Sequence, residues 1–392
     1  MDYTGLKVAF LHPRLEGGGA ERVSLTTAKL FASWGIKSYF IGAQHNREQF
    51  IVPESLGATI HRLPEEQSFY TECNKEALRR YIDEEGISIA FVCYLKGDFF
   101  RDRLGTQACK FVYWNHGSPY WEHAYRVEAG ARYSIRKWFE WHIKGEKRRA
   151  KGEEALAIVR EQYRRDVEIF DSYIVLCPEY KKELSEDLSL SEELGRRIIP
   201  MFNTIAIEQH PQLEKKKEIA MVGRVEMVQK RFDRMLYIWK EVMYRLPDWT
   251  LRIYGGGHDV WLMHKLVKKL KLERVEYCGY VTDLSKIYND SAVVCLTSTS
   301  ESWGMVLVEA QNNGCIPMAF DCSSGVSRVL RGGAGALLPS YDMSRYAEQL
   351  YELCSNDQLR ESMQKRCLEK RLEYHPNVND ETWDSLFETL LR

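Results

Sequence analysis

Lys7-Val-Ala-Phe-Leu11 is a short apolar run that leads into a loop holding Gly17-Gly-Gly19, a stretch of helical period from Ala20 to Trp34, and a second apolar run, Lys37-Ser-Tyr-Phe-Ile41. Strand, glycine loop, helix and strand in that order make a βαβ unit, because parallel strands need a crossover and a helix supplies it. Gly35 ends the helix between them. The same alternation continues outward, with strands expected at Ile87 to Leu95, Phe111 to Trp114 and Ser172 to Leu176, most of them separated by helical patterns. The stretch from Pro200 to Lys217, ending in the charged run Glu214-Lys-Lys-Lys-Glu218, reads as a linker. Beyond it a second series begins. Strands at Ile219 to Val222, Thr250 to Tyr254, Val275 to Tyr277, Ala292 to Leu296 and Ile316 to Phe320 alternate with helices at Phe232 to Leu246, Val260 to Leu270, Leu284 to Asn289 and Met305 to Asn313. The chain is therefore expected to be α/β, with two Rossmann-like, doubly wound domains over residues 1–200 and 201–375 facing a cleft. A last helix, 376–392, has Trp383, Leu386, Phe387, Leu390 and Leu391 on one apolar face and is expected to return to the N-terminal domain.

The chain has 392 residues, 44% of them hydrophobic and 28% charged, which is ordinary globular composition and excludes a fibrous repeat or a long disordered tail. Fifty-five Lys and Arg against 56 Asp and Glu leave a net charge of -1, so a globally basic nucleic-acid binder is disfavoured. Ten cysteines occur without a C-x-x-C pair, several inside apolar runs such as Cys93 and Cys295, a usage that fits buried thiols in a reducing cytoplasm and not structural zinc. The first residues lack the layout of a secretory signal and no apolar run nears a membrane span, so the expected location is cytoplasmic.

The most basic part is 132–165, where Arg136, Lys137, Lys144, Lys147, Arg148, Arg149, Lys151, Arg160, Arg164 and Arg165 interleave with Trp138, Phe139, Trp141 and Ile143. Two readings stand: solvated helices laced with glutamates, or a face resting peripherally on anionic lipid at the inner side of a membrane. An RNA-binding use of the same stretch lacks any accompanying RNA module.

Three groups carry possible chemistry. Gly17-Gly-Gly19 between strand and helix can aim backbone N–H groups at an anion, though a plain tight turn has the same appearance. Gly223-Arg224 follows a strand directly and Lys230-Arg231 opens the next helix, a placement of cations that suits a diphosphate. Glu301-Ser-Trp-Gly304-Met-Val-Leu-Val-Glu309-Ala leaves a buried strand and enters a helix, putting Glu301 in the loop and Glu309 in the first turns, where a carboxylate is also favourable for the helix alone. Cations and amides for phosphates, with carboxylates for hydroxyls, form the mixture a sugar nucleotide requires.

These residues resemble retaining glycosyltransferases of the GT-B fold, family 4. The resemblance rests on Glu301 and Glu309 with seven residues between them, and on Gly18-Gly-Ala-Glu-Arg-Val23, Val222-Gly-Arg224 with Lys230, Tyr254-Gly-Gly-Gly257, Gly279-Tyr-Val281 and Gly314-Cys-Ile-Pro317 in order. It implies that Arg224 and Lys230 hold the donor diphosphate, that Glu301 contacts the donor sugar and that Glu309 binds the ribose. Gly223, Gly304, Met305 and Val306 would help bind phosphate and sugar, Val281 would meet the base, and Gly18 and Gly19 would close the phosphate site from the other domain. His116, in Trp114-Asn-His-Gly117, would lie near the reacting sugar, although a structural histidine is the alternative. The implied reaction moves a hexose or N-acetylhexosamine from a nucleotide diphosphate sugar, with uridine as the expected base, to a glycan acceptor that is lipid-linked, in cell-surface polysaccharide or lipopolysaccharide synthesis. A soluble acceptor and a non-catalytic sugar-nucleotide-binding protein are the alternatives. No cofactor is expected, and the lack of an Asp-x-Asp pair to hold a divalent ion agrees with metal independence.

Overall fold

A computed structural model describes residues 2–106, 108–123 and 145–392, with the side chains of 145–151 outside the description. The chain divides into two compact units: Met1–Pro119, Ala155–Ala206 and His375–Arg392 form the first, and Tyr120–Glu154 with Ile207–Tyr374 the second.

In the first unit the strands are β1 (Lys7–Leu11), β2 (Arg14–Leu15), β3 (Lys37–Gly42), β4 (Gln44–His45), β5 (Thr59–Arg62), β6 (Ile89–Cys93), β7 (Lys110–Trp114), β8 (Ser172–Val175) and β9 (Ile198–Pro200). β2 and β4 pair only with each other, and the rest form one parallel sheet in the order β5-β3-β1-β6-β7-β8-β9. Val8, Ala9, Phe10 and Leu11 of the interior strand β1 are fully buried, which is why β1 reads as an unbroken apolar run. The edge strand β5, Thr59-Ile-His-Arg62, shows no such run, and β9, Ile198-Ile-Pro200, is only three residues long; neither was expected from the sequence. In the final helix, Asp380–Leu391, Trp383 meets Phe31 and Phe91 edge-on at centroid distances of 4.9 and 5.5 Å, and Phe387 meets Tyr3 at 5.2 Å. Each such aromatic pair adds about 0.5–1.5 kcal/mol beyond area burial. Leu391, expected on the apolar face, instead points outward at 47% exposure, while Leu390 beside it is buried.

In the second unit β10 (Lys216–Val222), β11 (Thr250–Tyr254), β12 (Val275–Gly279), β13 (Ser291–Leu296), β14 (Ile316–Phe320) and β15 (Ala336–Leu338) form a parallel sheet in the order β12-β11-β10-β13-β14-β15. The charged run read as linker already belongs in part to β10. Lys216 and Lys217 pair with Asp290 at 3.0 Å and Asp248 at 3.2 Å, and Lys215 Nζ donates to the carbonyls of Tyr288, Asn289 and Asn313. Burial lowers Lys215 to about 8. Cations can thus open a strand when each finds an acceptor at its amino end.

Both sheets are doubly wound. The winding reverses between β1 and β6 in the first unit and between β10 and β13 in the second, and the crevice at the carboxyl end of such a reversal is where open α/β sheets place ligands.

Of the basic stretch 132–165, residues 132–144 lie outside the described residues. Among those described, Arg160 pairs with Asp187 at 3.2 Å and Arg164 donates to the carbonyl of Leu188. No helix of the described residues is long and apolar enough to cross a membrane.

Candidate functional site

The loops after β10 and β13 meet at the reversal of the second sheet. Gly223 ends β10 at φ +150°, and its N–H donates to the carbonyl of Tyr254. The adjoining glycine loop after β11 packs backbone to backbone against it: a Cβ on Gly255 would lie 1.9 Å from the Gly223 oxygen. Only glycine permits that approach, and a Cβ on Gly257 would likewise lie 2.2 Å from the Val225 oxygen, so packing accounts for Gly255 and Gly257, whereas a Cβ on Gly256 would meet nothing within 4 Å.

Arg224 projects from this loop with its side chain 62% exposed, while its Nε donates at 2.8 Å to Oε2 of Glu226, whose side chain is only 3% exposed. Lys230 and Glu301 come together from loops 71 positions apart, with Nζ 2.6 Å from Oε1. Their side chains are 20% and 10% exposed, and Ser298 Oγ donates to the same oxygen at 2.7 Å. The two loops are stitched by their backbones as well. Thr299 N donates to the Gln229 carbonyl at 2.8 Å, Gln229 Nε2 to the Ser300 carbonyl at 3.2 Å, and Thr297 Oγ1 to the Arg231 carbonyl at 2.9 Å. Arg231 is tied up by Asp233 through two contacts of 2.8 Å, so of the adjacent cations Lys230 is the one facing Glu301.

Gly304 turns the chain into the helix Met305–Asn312 at φ +72°, where a Cβ would sit 2.9 Å from Leu307 Cδ1. Glu309 is buried, beyond the first turn in which the helix dipole acts strongly. Its Oε2 accepts from Tyr288 OH at 2.9 Å. Val281 and Val306 pack against an apolar cluster containing Val222, Tyr254 and Tyr288. The residues expected from the sequence to meet the donor fall into two sets in this unit: the charged group Arg224, Lys230 and Glu301, and a second group of half-buried Val281 and Val306 with buried Glu309. Met305 is half-buried at the helix start.

In the first unit His116 follows β7 and is buried. Asn115 Oδ1 accepts from Gly117 N at 2.8 Å and fixes the turn, while His116 Nδ1 lies 3.3 Å from Asn203 Oδ1. With that oxygen facing it Nδ1 carries the proton, and the lone pair on Nε2 is buried with no hydrogen-bond partner among the described residues. Burial lowers the imidazole to about 4, against the opposing pull of Asn203. His12, directly after β1, is lowered to about 3 by burial and by His116, and its Nε2 lies 3.0 Å from Ser24 Oγ. Gly18 caps the helix Gly19–Ser33 with ordinary φ of -67°, and a Cβ on Gly19 would meet nothing within 4 Å. The positive φ of this loop falls on Gly17 instead, at +73°.

Glu226, Gln229, Tyr288 and His12 were not singled out from the sequence. His12 alone carried a usable signal, a polar residue at the carboxyl end of an apolar strand. The others became visible only through their partners. Among the described residues no three His, Cys, Asp or Glu side chains gather as a metal site would require.

Residues 203–370 match the family described as Glycosyl transferases group 1. The matched span contains the charged group, the glycine loop and the helix Met305–Asn312. The amylovoran biosynthesis glycosyltransferase AmsD of Erwinia amylovora is 30% identical over 173 residues, which is 44% of this chain and 48% of that protein. The chain thus spans about half the length of that curated relative and less of the next two. Among solved structures, S. aureus TarM superposes with a TM-score of 0.73 at 14% identity, covering 98% of this chain and 99% of that one. Anabaena HepE in complex with UDP and glucose gives 0.72 at 14% identity, over 97% and 99%. The chain has the fold of the GT-B glycosyltransferases.

Proposed function

We propose that this chain is a retaining, metal-independent glycosyltransferase of family 4 that moves a hexose or N-acetylhexosamine from a UDP-sugar to a glycan acceptor in cell-surface polysaccharide or lipopolysaccharide synthesis. The observation that carries the reading is the charged group at the reversal of the second sheet. There Lys230 stands 2.6 Å from Glu301, and the loop that carries Lys230 also carries Arg224, whose side chain is 62% exposed. Breaking the anomeric C–O bond puts negative charge on the leaving diphosphate and oxocarbenium character on the sugar. Arg224 and Lys230 stabilise the first as fixed cations, with the amides of Met305 and Val306 adding the positive end of a helix. Glu301 accepts from sugar hydroxyls, Glu309 from the ribose, and Gly223 and Gly304 allow the backbone to approach the ligand. Val281 meets the base. In the first unit the same reading gives His116 a sugar-facing role, as a neutral imidazole with a free lone pair, and gives Gly18 and Gly19 a phosphate-facing one.

The acceptor is assigned to the first unit and is lipid-linked, which gives the basic stretch 132–165 its use at an anionic membrane surface. The polysaccharide setting is supported by the amylovoran relative, and the donor by the UDP and glucose held in HepE.

A panel of UDP-, GDP- and ADP-sugars screened by thermal stabilisation, followed by nucleoside diphosphate release with and without chelator, tests the reading. A ligand at about 100 times its Kd adds about 2.7 kcal/mol of stability. One UDP-sugar should stabilise the protein and be turned over at a rate the chelator leaves unchanged. Stabilisation without turnover, even with lipid-linked glycans supplied, would indicate a binding protein, and no stabilisation by any nucleotide sugar sinks the reading.

A further inference from the structure

The buried carboxylate of Glu226 is unexplained by the reaction. Removing such a group from water is costly unless donors compensate, and among the described residues Arg224 Nε donates to Glu226 Oε2 at 2.8 Å and Gln229 N to Oε1 at 3.2 Å. Gln229 in turn holds the Ser300 carbonyl at 3.2 Å, one residue before Glu301. A guanidinium offers three hydrogen-bonding edges, and the one that matches two phosphate oxygens can be its Nη1–Nη2 edge. With Nε engaged by Glu226, the Nη1–Nη2 edge is left for a ligand, and the side chain as a whole is 62% exposed.

We propose that Glu226 is a positioning residue for the transfer reaction. It locks the guanidinium of Arg224 with the Nη edge outward and, through Gln229, fixes the distance from that edge to the Glu301 loop. The proposal rests on the glycosyltransferase reading above. It adds that the clamp is preorganised by a buried acid instead of being gathered by the donor.

A kinetic double-mutant cycle on the full chain tests it, reading nucleoside diphosphate release from UDP-glucose, UDP-N-acetylglucosamine, GDP-glucose and ADP-glucose as probes. R224A and E226A should each lower kcat by about 10–100-fold, the range for one charge-assisted contact to a developing oxyanion. KM should move less than about threefold, because the lost interaction strengthens in the transition state. In the R224A background E226A should add less than about twofold, as expected when one residue acts through the other. E226A as damaging without Arg224 as with it would make Glu226 a structural acid and overturn the proposal, as would an E226A enzyme within about twofold of wild type. Should E226A lose its cooperative melt, E226Q keeps the volume and one acceptor, and the same comparison in the R224A background decides. R224A without effect, or a wild type inert toward every probe, would instead overturn the reading of the clamp itself.

Discussion

At the reversal of its sheet the second unit sets a cation against an acid, Lys230 and Glu301 2.6 Å apart, and leaves Arg224 exposed on the same loop as Lys230. Around the corresponding place the first unit sets two buried imidazoles, His12 and His116, held neutral by desolvation. The winding of the two sheets is the same, and what differs is the loops. In the second unit side chains and backbone cross-link the loops after β10 and β13, so charges of opposite sign can be held close without collapsing into solvent. In the first, polar atoms are hidden from water, and contacts to Ser24 at 3.0 Å and Asn203 at 3.3 Å orient rings that carry no charge. Equal topology therefore carries different electrostatics, cross-linked charges in one unit and desolvated neutral rings in the other, because the loops and not the winding set the chemistry at a strand end.

The sharpest way to break that contrast is to remove the cation. K230A should lower kcat/KM by about 10²–10³, the cost of one preorganised donor at a developing oxyanion, and should do so without loss of the cooperative melt. Donor turnover within about fivefold of wild type would show that the 2.6 Å pair is an ordinary salt bridge.

The buried imidazoles make the opposite kind of prediction, one about stability. Their folded-state values, about 4 for His116 and about 3 for His12, lie below the ordinary 6.5. The unfolded chain therefore binds protons that the folded one refuses. Their contribution is fully present above about pH 6.5 and is lost as pH falls toward 4, with a slope of up to about 1.4 kcal/mol per pH unit for each ring. Melting temperature measured from pH 7.5 to 5 should fall steeply below 6.5, and the fall should be shallower in H116Q. Equal slopes in the two proteins would mean that His116 is not the neutral, desolvated group the contrast requires.

How much of this was legible beforehand follows from what each residue touches. β1 and β6 are buried on both faces and spell continuous apolar runs, so the parallel fold could be read from Lys7 to Ile41 onward. β5, Thr59-Ile-His-Arg62, lies at an edge where half-buried positions suffice, and its two β-branched residues are too short a signal to mark a strand beside His61 and Arg62. Lys216 and Lys217 hid the start of β10 because their acceptors, Asp290 and Asp248, lie far along the chain. Arg224, Lys230 and Glu301 were recognisable as residue types at strand ends, but their pairing depends on the register of β10 against β13, which no local pattern encodes. Glu226 was invisible for a related reason: a loop acid two residues after an arginine looks solvated until burial shows otherwise.

The mildest probe addresses the second set, that of Glu309, Val281 and Val306. Tyr288 OH donates to Glu309 Oε2 at 2.9 Å, and both side chains are buried, so the hydroxyl orients the carboxylate proposed for the ribose. Y288F removes that donor while keeping the ring in its apolar cluster with Val222 and Tyr254. A hydrogen bond to a charged group contributes about 1.5–3 kcal/mol, part of which is recovered if the carboxylate turns toward the ligand. The expected result is a rise in donor KM of about 5–10-fold with kcat changed less than about twofold, because ribose binding is felt equally in ground and transition states. A fall in kcat at constant KM would place Glu309 at the reacting bond and merge the two sets into one, whereas loss of stability with unchanged KM would make the Tyr288–Glu309 contact purely a packing device of the second sheet.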